Sequence, residues 1–533
     1  MRYVINKMVW ITYINAIQTI FIMKKLKNDI GCYEGRRYKR INIAMLTPLW
    51  LSFKYFSHQV TGIKWMLSKE SKGTIIPNGD KEDVTVFGGL QCDDMGLGKT
   101  IQICGTMINN PLYATLILAP LAMVETWTTI CDRSGLRVFV MEKGEWVYMN
   151  ASTAVPEHFS AMCPCVYITN YEKVLHNFDE CDREWDRIIL DEAHKIRNPT
   201  GQFARTIRGL QSPIRWAVTG TPLVNSLQDI ASLLTFIGVP SMPGYMWSGH
   251  YMSTLPKLLI HRSMESLRGI VKDLPPVPEI VTEVLPFNTK EEEDFYTGVQ
   301  CTDEDLSADF AQDIMNTAES FKLLLRLRQL SVHPQIYINA KRREDSTYER
   351  DNWSASTTKF DRIKSIIKED DKKEVHKYIV FCQFMEEMHL LQEELSSFVP
   401  HVLLYNGSMS QQARDEVLAF SKNTTKTTVL LLQLQAGGVG LNLQEYDRII
   451  FVSPWWTSAL INQAIARAVR MGQKKIVKVY HLKLAMEVNN EKIINIDEMI
   501  QKKAEEKREM LERIFTFCAE KKRGIAKLKP IAA

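Results

Sequence analysis

The sequence predicts an α/β protein of two lobes, each a parallel sheet with helices on both faces, with helical insertions between the lobes. Three observations carry that expectation. The chain has 533 residues, which at roughly 150 residues per domain leaves room for about three to four cores. Short, continuously apolar runs recur from residue 84 onward, each ending where a loop begins. Continuous rather than alternating hydrophobicity is what a strand buried on both faces requires. A second series of such runs starts after residue 375.

Composition narrows the class. Apolar residues make up 45 %, charged residues 24 % and aromatics 9 %, which excludes a wholly disordered, collagen-like or membrane-embedded chain. Sixty-six Lys and Arg against 62 Asp and Glu leave a net charge of +4, so charge alone does not point to nucleic acid. The ten cysteines lack paired CxxC spacing beside a His-x-x-x-His. They read as reduced core thiols, and no structural zinc is expected.

The segments follow in order. Residues 1–46 form a poorly defined N-terminal extension, in which Met8 to Met23 is mostly apolar but carries Thr12, Asn15, Gln18 and Thr19. It is shorter than the ~20 residues that span a bilayer and lacks an Ala-x-Ala cleavage signal, so a helix rather than an anchor is expected, with no membrane partner. Translation from Met23 or Met45 is the other reading. Residues 47–240 make the first lobe, with strands at Ala114–Ala119, Arg187–Leu190 and Trp216–Val218 and helices at Thr100–Ile108 and Gln202–Leu210. Residues 241–355, rich in charge and helix formers, read as a helical insertion and connector. Residues 356–500 make the second lobe, with strands at Tyr378–Phe381, Val402–Tyr405, Val429–Leu432, Arg448–Val452 and Val477–Leu482. Residues 501–533 form a basic helical tail ending Lys521-Lys522-Arg523, with Lys527 and Lys529.

Two motifs carry chemistry. Asp93-Asp94-Met95-Gly96-Leu97-Gly98-Lys99-Thr100 stands between the apolar run ending at Cys92 and a predicted helix. There, glycines let backbone N–H groups close around phosphate oxygens, Lys99 neutralises β/γ charge and Thr100 can place a hydroxyl on Mg²⁺. The first position is Asp93 where the strict pattern has Gly, and taken alone the segment also fits a chance Gly-Lys-Thr turn. Asp191-Glu192-Ala193-His194 follows the second predicted strand, at the carboxyl end where α/β ligands bind. Asp191 would hold Mg²⁺ through water, and Glu192 would orient and deprotonate the attacking water. An acidic pair after a strand is by itself a common helix-terminal charge placement. In a matching strand context well downstream of Lys99, the nucleotide reading prevails.

With both halves present, residues 47–500 resemble the Swi/Snf-type branch of superfamily-two helicase-like ATPases. Phe56-Ser57-His58-Gln59 resembles the family's glutamine motif, which implies that Gln59 reads adenine. The phosphate loop is similar to the family's own, in which Asp at the first position is normal. Ala119-Pro120-Leu121 with Trp127, and Thr169-Asn170-Tyr171-Glu172, resemble the first DNA-contacting motifs, implying contacts at Pro120 and Thr169. Asp191 to Pro199 resembles the metal motif, and Thr219-Gly220-Thr221-Pro222 the coupling motif, which together imply coupling roles for Ala193, His194, Thr219, Gly220 and Thr221. Leu327-Arg328-Gln329-Leu330 with His333-Pro334 marks the branch at the entry to the second lobe. There Phe381 to Phe384, Gly407-Ser408-Met409, Ala436 to Leu443 and Gln463 to Gln473 follow in family order. Gly407, Gly437 and Gly438 would touch nucleic acid, Gln463 the nucleotide, and Arg467 and Arg470 would be arginine fingers.

The resemblance thus implies two RecA-like lobes, ATP and Mg²⁺ as cofactors, and double-stranded DNA as partner, with chromatin or transcription machinery as further partners. It implies an ATP-dependent duplex translocase that displaces or repositions DNA-bound proteins; a strand-separating helicase and a weakly hydrolysing transcription scaffold are the alternatives. The scaffold reading is motivated by departures from the family pattern at Ser453, Thr457, Ser458, Ile461, Ala466 and Val469. Trp455 and Trp456 would either stack on bases or support the finger helix, with support favoured. Among compact relatives the chain is most similar to global transactivator proteins of large insect DNA viruses, which implies nuclear action, in the host nucleus if the chain is viral.

Overall fold

The computed structural model describes residues 46–79, 81–149, 164–224, 226–241, 247–272, 274–300, 318–372, 374–434, 441–488, 491–492 and 495–522. The expectations for the N-terminal segment, for Gly437 and Gly438, and for the tail beyond Lys522 fall outside these residues.

Two sheets carry the chain, and both are parallel in their interior. The strands of the first are β1 (Thr74–Asn78), β2 (Lys81–Gln91), β3 (Ala114–Ala119), β4 (Arg137–Glu142), β5 (Glu145–Met149), β6 (Cys165–Asn170), β7 (Arg187–Asp191), β8 (Ile214–Val218) and β9 (Leu259–Ile260). Their order is β1-β2-β8-β7-β3-β6-β4-β5, with β9 beside the end of β2. Pairs from β2 to β4 are parallel, while β1 and β5 close the edges antiparallel. The second sheet holds β10 (Glu279–Leu285), β11 (Lys377–Cys382), β12 (His401–Tyr405), β13 (Thr428–Gln433), β14 (Arg448–Phe451) and β15 (Lys478–Leu484). Its order is β10-β15-β14-β11-β13-β12, parallel throughout.

The continuous apolar runs have the cause expected of them. Leu116, Leu118, Ile188 and Leu190 enter one core of the first sheet, while Ile117, Ala119 and Ile189 enter another. Successive side chains point to opposite faces, and here both faces are covered. The second sheet repeats this, with Val380 and Leu431 in one cluster and Ile379, Phe381, Leu430 and Leu432 in the other.

The connector is less helical than its composition suggested, because it lends β9 to the first sheet and β10 to the second. The tail is one helix, Ile496–Lys522. Two buried ion pairs tie remote elements together. Arg187 Nε and Nη2 donate to both oxygens of Glu70 at 2.7 and 2.5 Å, and Glu70 also accepts from Trp216 Nε1 at 2.8 Å. In the second lobe Lys359 Nζ stands 2.7 Å from Asp497 Oδ2, with both side chains at most 1 % exposed.

Candidate nucleotide site at the lobe interface

The phosphate loop runs from the end of β2 into helix Lys99–Asn109. Gly96 and Gly98 have φ of 85° and 75°, a left-handed backbone that only glycine adopts freely. Space demands glycine as well, since a Cβ on Gly98 would lie 2.6 Å from Gln59 Nε2. His58 Nε2 at 2.9 Å and Gln59 Nε2 at 3.4 Å both face the Leu97 carbonyl, and Gln59 Oε1 accepts from Phe56 N. The glutamine motif therefore braces the loop directly. Lys99 Nζ donates to the carbonyls of Asp93 and Asp94 at 2.9 and 3.4 Å, and Met95 packs toward Gly220. Thr100 follows in the first helical turn.

Asp93, expected to bind the nucleotide, is fully buried. Its carboxylate is paired with Arg262 and accepts from Gln91 Nε2 and Gln102 Nε2, each at 3.0 Å. Burial works to raise this carboxyl, but the Arg262 hydrogen bond and charge, with Gln102 and Gln91, outweigh it and hold it below the usual range. Arg262 also reaches Gln102 Oε1 at 2.7 Å and the His58 carbonyl. Asp94 Oδ2 accepts from Met264 N at 2.8 Å. Nothing local in the sequence marks Arg262, which lies 169 residues from its partner.

Asp191 ends β7 as expected. Its Oδ2 accepts from Trp127 Nε1 at 2.7 Å, its Oδ1 from Glu192 N at 3.0 Å, and its carbonyl from Tyr171 OH at 2.6 Å. Burial and the neighbouring Glu192 charge push its carboxyl up to about 6. Glu192 sits at φ 49°, ψ 51°, a left-handed position that costs a non-glycine residue on the order of 1–3 kcal/mol. Burial opposes its ionisation, but the hydrogen bond and charge of His194 and the charges of Lys99 and Arg467 prevail, so it stays ionised below its usual range. His194 Nδ1 stands 3.3 Å from Glu192 Oε2, 3.3 Å from Thr219 Oγ1 and 3.4 Å from Thr221 Oγ1. Ala193 is buried beside it. A Cβ on Gly220 would lie 3.3 Å from Lys99 Nζ, so the four expected segments of the first lobe converge.

The second lobe completes the site. Gln463 Nε2 donates to Glu192 Oε1 at 3.3 Å across the interface. A Cβ on Gly96 would lie 3.8 Å from both Arg470 Cα and the Val469 carbonyl. Arg467 feels the charges of Glu192, Arg470 and Asp191, although burial is the main influence on its guanidinium and lowers its basicity. The expected finger helix is shorter than anticipated, because Ser458–Ile465 ends before either arginine. Arg467 and Arg470 lie on the turns that follow. Leu443 N bonds the Arg467 carbonyl at 3.1 Å, and Gln473 Nε2 bonds the Gln444 carbonyl at 2.8 Å. The arginines are thereby fixed by tertiary contacts instead of helix geometry.

Departures from the family pattern have visible neighbours. Ser453 Oγ accepts from Lys359 Nζ at 2.7 Å, and Asp497 supplies that ammonium with its carboxylate. Trp455 packs with Ile461 and Ile465 against the finger segment. The Arg328 guanidinium lies 5.2 Å from the Trp455 ring and 5.8 Å from that of Trp456. The residues expected to touch nucleic acid are dispersed. Among the described ones, Pro120 is buried, Thr169 is 1 % exposed, and Gly407 is open, its N–H facing Gln433 Oε1 at 3.4 Å. As placed, the Thr169 side chain is enclosed and does not reach outward. Trp127, grouped by the sequence with these contacts, is likewise wholly buried and instead holds Asp191.

The donor set suits a magnesium-bound nucleoside triphosphate. Asp191 and Thr100 are hard oxygen donors beside a glycine cradle, and Lys99 Nζ stands at the same cradle, on the Asp93 and Asp94 carbonyls.

Comparison with known proteins places this arrangement. The SNF2-related domain model matches residues 58–336, and the helicase conserved C-terminal domain model matches residues 358–472. "Protein CHROMATIN REMODELING 24" of Arabidopsis thaliana is 24 % identical over 521 residues, covering 83 % of this chain and 45 % of that protein. The putative ATP-dependent helicase/translocase YwqA of Bacillus subtilis (strain 168) is 25 % identical over 503 residues, covering 87 % and 51 %. The probable global transactivator of Orgyia pseudotsugata multicapsid polyhedrosis virus is 26 % identical over 446 residues, covering 80 % and 85 %. The chain thus spans about half the length of the first two relatives.

Proposed function

We propose, from the premise that this chain belongs to the SNF2-related domain family, that it is a DNA-dependent ATPase working as a translocase on double-stranded DNA. The observation that carries the proposal is the convergence of Lys99, Asp191, Glu192 and Gln463 with Arg467 and Arg470 at one interface between two lobes. Lys99 would exchange its loop carbonyls for phosphate oxygens, and Asp191 with Thr100 would hold magnesium. Bound there, Mg²⁺ neutralises charge on the transferring phosphoryl group. Glu192, kept ionised by His194, Lys99 and Arg467, accepts the proton of the attacking water, and Gln463 aims its carboxylate. Arg467 and Arg470 meet the charge that develops in the transition state, a task on which fingers spend on the order of 10³ to 10⁵ in rate. Because these groups come from both lobes, turnover requires the lobes to be together, and each cycle can therefore move DNA.

The working role is displacement or repositioning of DNA-bound proteins, with consequences for transcription. The resemblance to a viral transactivator supports action in the nucleus, with chromatin or transcription machinery as partners. The test is ATP hydrolysis by the full chain at low salt, with and without linear duplex, beside Lys99→Ala and Glu192→Gln. Duplex-stimulated turnover falling on the order of 10²-fold or more in both variants is expected, with no strand release from a forked duplex. DNA binding without turnover above the variants would leave a scaffold, and strand release would make the protein a helicase.

A further inference from the structure

Helix Ile496–Lys522 is held at its two ends by different lobes. Its 27 residues reach about 40 Å. At the first turns Ile496, Met499 and Ile500 pack with Tyr296, Leu327 and Tyr337, and Asp497 pairs with Lys359. At the last turns Ile514 and Cys518 enter the first-lobe core that contains Leu90, Cys92 and Leu259. There the Phe515 ring stacks on His261, with centroids 3.5 Å apart and planes at 6°. Lys522 Nζ donates to the Leu259 carbonyl at 2.6 Å.

The gripped segment is the one that backs the phosphate loop. Leu259 and Ile260 pair with Leu90 and Gln91 at the end of β2. Cys92 N bonds the Ile260 carbonyl at 2.8 Å, and Asp94 N bonds the Arg262 carbonyl at 3.0 Å. Arg262 then joins Asp93, Gln102 and the His58 carbonyl. His261, under Phe515, also lies 3.5 Å from Asp94 Oδ1. These contacts fall on Gln91, Cys92, Asp93 and Asp94, at the start of the loop.

We infer that the C-terminal helix is a positioning element of the nucleotide site, acting through Phe515 and Lys522 on Leu259–Arg262 and through that segment on the phosphate loop. The inference rests on the nucleotide reading above. A loop that must close around phosphate binds in proportion to how fully its binding shape is populated beforehand. Loosening the grip lowers that population and raises KM, while the groups that meet the transition state are untouched. Since the other end of the helix is anchored by Lys359, nucleotide affinity follows the position of the second lobe.

The experiment is duplex-stimulated ATP hydrolysis by the full chain across ATP concentrations, for wild type, Phe515→Ala, Lys522→Met, the double variant and Arg513→Ala. Arg513 is exposed on the same helix and pairs with Glu509 of that helix, so its variant matches wild type. Each grip variant raises KM by about threefold or more, and the double variant by about tenfold, with kcat within about twofold. If Phe515→Ala fails to fold, Lys522→Met, which keeps the aliphatic stem, decides alone. Active wild type with unshifted KM in the grip variants, or loss confined to kcat, overturns the inference alone. Wild type that neither binds nor hydrolyses ATP overturns the nucleotide reading and the inference with it.

Discussion

Arg262 and Trp127 show how single residues set the electrostatics of Asp93 and Asp191 from distant parts of the chain. Arg262 compensates a carboxylate that is wholly buried, and removing one partner of such a pair costs on the order of 3–5 kcal/mol because a charge is left without its counter-ion. Arg262→Ala is therefore expected to destabilise the chain by that amount at neutral pH. The pH dependence follows from the direction of the Asp93 shift. A carboxyl held below its ordinary range contributes stability that is present above its unfolded pKa, near 3.9, and lost as pH falls through the folded value. The deficit of Arg262→Ala relative to wild type should shrink as pH falls, because burial without its counter-ion raises Asp93 in the variant, where it is protonated before it is in wild type. Denaturant midpoints at pH 7 and pH 3.5 measure this, and a deficit independent of pH would refute it. Trp127 acts on Asp191 in the opposite sense, donating the hydrogen bond that partly offsets burial. Trp127→Phe keeps an aromatic ring, smaller than the indole, and deletes the donor, so the Asp191 carboxyl rises above about 6. The acid limb of the ATP turnover profile should move to higher pH, and an unmoved limb would separate this residue from the reaction.

At the scale of elements, the strands were legible and several of their boundaries were not. Runs such as Ala114–Ala119 and Val429–Leu432 declare buried parallel strands because both faces need apolar side chains, and those strands form in the expected places. Edge strand β10 escaped notice because its positions alternate between half-buried and exposed, with Glu279 and Glu283 among them. Strand β9 is two residues long and exists only because the end of β2 has a free edge. The finger segment kept its composition of helix formers, yet the Leu443 and Gln473 bonds draw it into turns. The Lys359–Asp497 pair joins helix Thr358–Asp371 to the C-terminal helix. Lys359→Met alone should cost on the order of 3–5 kcal/mol, whereas Lys359→Met with Asp497→Leu should recover at least half of it, since Asp497 is then no longer left buried without its counter-ion. Urea unfolding of the three proteins decides the matter, and additive losses would mean the pair is not coupled.

At the scale of the molecule, two sheets place one set of groups on each side of an interface, and the C-terminal helix links the sheets. A net charge of +4 on 533 residues supplies no overall field to attract DNA, so the duplex affinity we propose would come from local phosphate contacts. Binding of that kind falls steeply with salt and ignores base sequence. Duplex affinity is expected to drop by at least tenfold between about 50 and 200 mM salt, with AT-rich and GC-rich duplexes equivalent. Fluorescence titration checks both, and a strong sequence preference would point to base readout.

The architecture, two sheets parallel in their interior, was legible in the residues alone, and so were the segments that meet at the candidate site: a glycine-rich loop ending in Lys99-Thr100, an acidic pair after a strand, and arginines far downstream. Those features are local, since a glycine requirement, a buried strand and a carboxylate at a strand end each leave a mark within a few residues. What required the folded chain was the pairing of Asp93 with Arg262 and of Asp191 with Trp127. The same holds for the pairing of Asp497 with Lys359, which also donates to Ser453, and for the contact of Lys522 with Leu259 beside the end of β2. Those pairings join positions 64 to 263 residues apart. Buried charges and donors must find partners wherever the fold delivers them, and spacing along the chain carries no record of which partner that will be.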